Sequence, residues 1–165
     1  MSTIAVAFAP SLDRARSSIP FAKLADHARS QLPSRAMTVA IDHIILKVND
    51  VAASAAFYEQ ILGFADEGER APFRIVRVSD AFSLQLAPWG TEGGEHLAFA
   101  LDRPAFDETF ARIRAAGVPY GDSFHAVGNQ KAPGKEIGSR GVGDVVYFFD
   151  PNKHLLEIRV YGGAA

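Results

Sequence analysis

The 165-residue chain is 48% hydrophobic and 22% charged, with a formal net charge of −2 and a pI near 6.2. That apolar share excludes wholesale disorder, the near-neutral balance excludes a global basic field for nucleic acid, and no apolar run approaches the roughly 20 residues of a spanning helix. The absence of Cys excludes a disulfide framework, a thiolate metal site and a Cys nucleophile, and fits a cytoplasmic setting.

The charge is uneven along the chain. Residues 1–36 hold five basic groups (Arg14, Arg16, Lys23, Arg29, Arg35) and two acidic ones (Asp13, Asp26), a balance of +3 that leaves −5 for the rest. This segment carries Pro10, Pro20 and Pro33 among many Ser and Ala. It reads as a loosely attached tail over 1–37, with a short helix within 21–31, and Met37 is a candidate natural start. A body over 38–165 follows.

The body contains an internal repeat. Residues 41–48 (IDHIILKV) form a short, β-branched strand pattern. Asn49 or Asp50 then caps a helix running to about residue 62, where Gly63 ends it. Two clear strands follow, over 73–79 and 82–87, with a weaker one near 64–67. The second copy starts at 95–101 (EHLAFAL), and Asp102 caps a helix with Pro104 in its first turn and Gly117 at its end. Further strands are expected over about 118–126, 144–149 and 155–161. His43 and His96 lie 53 residues apart, as do Phe57 and Phe110. Both halves therefore read β-α-β-β-β, with modules over about 38–90 and 94–161. The expected fold is α+β: two paired βαβββ modules forming a cupped mixed sheet with the helices outside.

Strand alternation assigns faces. Ile44, Leu46 and Val48 share one face of the first strand, and His43 the other. Leu97, Phe99 and Leu101 pack, leaving His96 opposite with the small Ala98 and Ala100. In the last strand Leu156, Ile158 and Val160 pack, and Glu157 faces the cup with Leu155, Arg159 and Tyr161. A buried carboxylate needs a partner. Two imidazoles and one carboxylate around a divalent metal supply one, and the repeat places His43 and His96 at equivalent positions. His125 carries no such signal, and His154, in a turn after Pro151, reads as a surface residue.

The body resembles the vicinal oxygen chelate superfamily, which includes glyoxalase I, fosfomycin-resistance proteins, extradiol dioxygenases and bleomycin-resistance proteins. The segments that carry the resemblance are IDHIILKVNDVAASAAFYEQILGF (41–64), EHLAFAL (95–101) and VVYFFDPNKHLLEI (145–158). It implies one divalent metal ion (Fe, Mn, Ni, Zn or Mg) held by His43, His96 and Glu157. Gln85 falls at the fourth-strand position, where glyoxalase I enzymes usually carry a carboxylate, so it departs from their pattern. Tyr147, Asp150, Pro151 and Glu157 match the spacing of extradiol dioxygenases, and Tyr147 is the candidate catalytic residue. Gln85, Arg159 and Trp89 are candidate substrate-binding residues. The long loop over 126–143, with five Gly, reads as a solvated hairpin extension or as a lid. The implied function is a metal-dependent enzyme that chelates vicinal oxygens of a small substrate, extradiol-dioxygenase-like or a glyoxalase-like lyase or isomerase. A metal-free drug-sequestering protein of the bleomycin-resistance type is the alternative. A homodimer is expected, with neither nucleic acid nor membrane as partner.

Overall fold

A computed structural model of the chain describes residues 39–162. The expected tail over 1–37, with its helix, lies outside the described residues. The first module is β1 (His43–Lys47), α1 (Val51–Phe57), β2 (Ala65–Arg70), β3 (Phe73–Ser79) and β4 (Phe82–Ala87). The second is β5 (His96–Ala100), α2 (Arg103–Ala115), β6 (Tyr120–Gly121), β7 (Gly134–Gly138), β8 (Gly141–Phe149) and β9 (Leu155–Tyr161). No helix of the described residues is long and apolar enough to cross a membrane.

The helices start where their caps predict. The Asp50 carboxylate accepts from the Ala53 N–H at 2.9 Å, and that of Asp102 from the Ala105 N–H at 2.9 Å. Past Phe57, α1 widens into a π-helical turn over Tyr58–Leu62, and Gly63 ends it in the left-handed region at φ 75°.

The two modules build two sheets with matching topology, ordered β1-β4-β3-β2 and β5-β9-β8-β6. In each, the first strand lies parallel to the last, and the others are antiparallel. The second module departs from the expected plan. The strand foreseen over 118–126 shrinks to Tyr120–Gly121, since Gly121, Asp122 and Ser123 favour a turn. The segment over 126–143, read as a hairpin extension or a lid, supplies β7 of a hairpin, which pairs along β8 from Gly134↔Val145 to Gly138↔Gly141.

One core joins the halves. Leu46, Tyr58 and Leu84 from the first module and Phe106, Phe148 and Ile158 from the second are each at most 1% exposed and belong to one cluster. Arg112 of α2 donates to the Ile61 carbonyl at the end of α1 at 2.9 Å. The turn between β8 and β9 fastens the modules further. Asn152 accepts from the Asn49 N–H at 2.8 Å and donates to Ser54 Oγ at 2.9 Å, while Tyr58 donates to Asp150 at 2.9 Å. His154 belongs to this fastening. It is 1% exposed, with Nε2 at 2.8 Å from the Lys47 carbonyl and the Glu95 N–H reaching Nδ1 at 3.4 Å. Its expected surface role is thus corrected: both ring nitrogens find backbone partners, so the imidazole is buried without an orphaned polar atom.

Candidate functional site

Strands β1 and β5 hold matching positions in their sheets. Both show the same alternation, exposed at the first, third and fifth residues and buried at the fourth. Their ladders also correspond: Ile45 pairs with Gln85 as Ala98 pairs with Glu157. Each His therefore sits two residues before the strand partner of a polar side chain, His43 with Gln85 and His96 with Glu157.

The second of these pairs is a contact. His96 Nε2 lies 3.2 Å from Glu157 Oε2, with the imidazole half exposed and Glu157 only 3% exposed. The other carboxylate oxygen accepts from Arg159 Nη1 at 2.9 Å. A buried carboxylate is stable only when its charge is matched, and Arg159 supplies the match. Arg159 itself is 6% exposed, and its Nη2 donates to the Glu136 carbonyl at 3.2 Å.

Tyr147 faces the same pair from β8, directly opposite Glu157 in the ladder. Its ring centroid stands 6.0 Å from that of His96 and 6.3 Å from that of Phe124. Its hydroxyl donates to Glu136 Oε2 at 2.8 Å. Burial first, then that bond and the nearby Glu157 charge, push the phenol well above the ordinary tyrosine range. Tyr147 therefore keeps its proton at physiological pH.

The remaining expected site residues stand elsewhere. His43 contacts Asp42 at 2.7 Å, and among the described residues no three His, Cys, Asp or Glu side chains converge on a metal-holding position. The fold thus brings His96 and Glu157 together with Tyr147 and Arg159, but does not add His43 within one chain. Gln85 stays on the sheet of His43, between Ile45 and Ile75. Trp89, beyond the end of β4, is 54% exposed and packs edge-on against Phe73, with centroids 5.7 Å apart. A groove of about 480 Å³ runs along β5, lined by Ile41, Ile44, Phe82, His96 and Phe99 among others. Sequence reading missed Glu136 and Phe124. The stretch GKEIG over 134–138 has no apolar alternation that would mark the strand placing Glu136.

The donor chemistry fits a divalent cation as part of a site: one imidazole nitrogen beside one carboxylate oxygen, the carboxylate held from behind by a cation. A third donor has to come from elsewhere.

Comparison with known proteins agrees with this architecture. The chain is 32% identical to the oxidase ChaP-H2, covering 78% of this chain and 98% of that one, with a TM-score of 0.65. It is 26% identical over 134 residues to the virulence protein STM3117 of Salmonella typhimurium, covering 73% of this chain and 83% of that protein. The fosfomycin-resistance protein FosX of Listeria monocytogenes shares the fold at 21% identity, covering 76% of this chain and 96% of that one, with a TM-score of 0.54. The profile of one family matches residues 40–158, nearly the whole described body. The chain belongs to the Glyoxalase/Bleomycin resistance protein/Dioxygenase superfamily.

Proposed function

We propose that the chain is a divalent-metal-dependent enzyme acting on two adjacent oxygens of a small substrate, with His96 and Glu157 of one chain and His43 of a second copy as metal donors. The observation that carries this reading is the 3.2 Å contact between His96 and the buried Glu157. Arg159 neutralises one oxygen of the buried carboxylate, and the other stands beside an imidazole at an open sheet face, a pair of donors suited to a divalent ion. When bound, a divalent ion (Fe, Mn, Ni, Zn or Mg) supplies Lewis acidity, polarising the gripped oxygens and stabilising the negative charge that develops on them. Glu157 is oriented by Arg159, and Tyr147 hydrogen-bonds a substrate oxygen beside His96. Gln85 presents an amide to the substrate from the sheet that carries His43.

A homodimer supplies what one chain lacks. Strands β1 and β5 both lie at sheet edges, and Ile45, beside His43, is 47% exposed. An unpaired edge with apolar neighbours invites a partner, and a twofold axis completes both sites at once. The similarity to an oxidase, together with Gln85 in place of a carboxylate, favours an oxygen-using, extradiol-dioxygenase-like reaction over a glyoxalase-like one.

Elemental analysis of the full chain, purified without added metal and repeated for His96→Ala, tests this. Stoichiometric metal in the natural chain, its loss in the variant, and oxygen uptake with catechol are expected. Bound metal without oxygen uptake moves the reaction to lyase or isomerase chemistry. Absence of metal, with unchanged small-molecule binding in His96→Ala, overturns the enzyme in favour of a sequestering protein.

A further inference from the structure

The β7–β8 hairpin places a carboxylate where none was expected. Glu136 takes the Tyr147 hydroxyl proton into a 2.8 Å hydrogen bond. A phenol has one proton to donate and keeps its lone pairs for accepting. A carboxylate outcompetes a neutral ligand oxygen for that proton, since charge-assisted bonds are roughly twice as strong. The Glu136 backbone is fixed in place. Its strand is paired to β8 at Gly143, and its backbone carbonyl is held by Arg159 at 3.2 Å. The hairpin lies so close to this guanidinium that a Cβ built at Gly138 would overlap it. Opposite Tyr147 stands Glu157, one of whose oxygens accepts from Arg159 while the other lies 3.2 Å from His96 Nε2.

We propose that Glu136 is a specificity-determining positioning residue: by holding the Tyr147 proton, it makes Tyr147 a hydrogen-bond acceptor toward the ligand. The site then selects ligands that bring an O–H or N–H donor beside their chelating oxygen, such as a hydroxyl of a vicinal diol. Ligands with only ether or carbonyl oxygens there would leave a partly buried acceptor facing an acceptor, which costs binding. This rests on the function proposed above.

The test compares dissociation constants of catechol and 1,2-dimethoxybenzene for the full chain with its bound metal. Natural protein, Glu136→Ala and Tyr147→Phe are measured by calorimetry with oxygen excluded. The natural protein should prefer catechol, and Glu136→Ala should narrow that preference about tenfold, because the freed phenol can turn its proton to an ether oxygen. Tyr147→Phe should narrow it similarly by deleting the acceptor. A purely structural role for Glu136 would weaken both ligands together and leave the ratio unchanged. An unchanged ratio in Glu136→Ala overturns the proposal while leaving the function intact. Should that variant fail to fold, an unchanged ratio in Tyr147→Phe overturns it instead. Absence of catechol binding by the natural protein overturns the proposed function and this inference with it.

Discussion

Two buried tyrosines and one buried histidine carry consequences at the level of single residues. Burial is the largest cause raising both phenols. It is reinforced at Tyr58 by Asp150 and at Tyr147 by Glu136 and Glu157. A group that holds its proton more tightly when folded stabilises the native state below its unfolded pKa and loses that contribution as pH rises. Folding stability should therefore fall as pH climbs above about 10, where free phenols ionise. Tyr147→Phe should flatten this alkaline limb in urea titrations across pH, and an unaltered limb would count against the burial argument. His154 makes a different demand. His154→Ala strips partners from the Lys47 carbonyl and the Glu95 N–H, and should cost about 2–3 kcal/mol in urea unfolding.

Among the elements, the β7–β8 hairpin and the short β6 depend on close approach. A Cβ at Gly121 would strike the backbone of Ala126, whereas one at Gly138 would strike the end of the Arg159 side chain. A backbone carbonyl cannot rotate out of the way, and a guanidinium can. Gly121→Ala should therefore lower the thermal midpoint more than Gly138→Ala. The latter should cost about 1–3 kcal/mol, the usual range for overpacking, and loosen the Arg159–Glu157 bond. Equal losses in the two variants would contradict the contrast between a rigid and a flexible neighbour. The same hairpin carries the tight cluster of Lys135 and Arg103 on Asp144, whose carboxyl is held below the ordinary range, chiefly by the Lys135 bond. These contacts pin the hairpin to α2 on the side away from Glu136.

For the whole molecule, the proposed division of ligands between two chains makes a prediction that one-chain sites cannot satisfy. A mixed dimer of His43→Ala and His96→Ala chains has one site lacking both histidines and one site with neither altered. Unfolding the two variants together and refolding them should therefore restore metal binding to about a quarter of the natural level, since half the dimers are mixed and each carries one whole site. Each variant refolded alone should bind no metal. No recovery on mixing would place all the donors within one chain and remove the basis for a shared site.

The repeat was legible because strands and helices announce themselves locally. Asp50 and Asp102 cap where capping chemistry predicts, and alternation in 155–161 put Glu157 and Arg159 on the face opposite the core. The 53-residue spacing of His43 and His96 correctly marked equivalent ladder positions. Equivalence is not proximity, however. Local periodicity fixes which face a residue takes within its own sheet, but how two sheets meet is decided by which faces bury the most apolar surface. Here the helix-bearing faces share one core, so His43 and His96 stay apart within the chain, and His154 is drawn into the junction as a buried tie. Glu136 escaped for the same reason. Nothing in a Gly-rich stretch reports the distant strand it will lie against, and only the pairing of β7 with β8 carries its carboxylate to Tyr147. The sequence by itself determined the modules, the polar residues on their open faces and the absence of any thiolate chemistry. Tertiary structure alone decided which of those residues touch, because long-range packing sets contacts that no local pattern encodes.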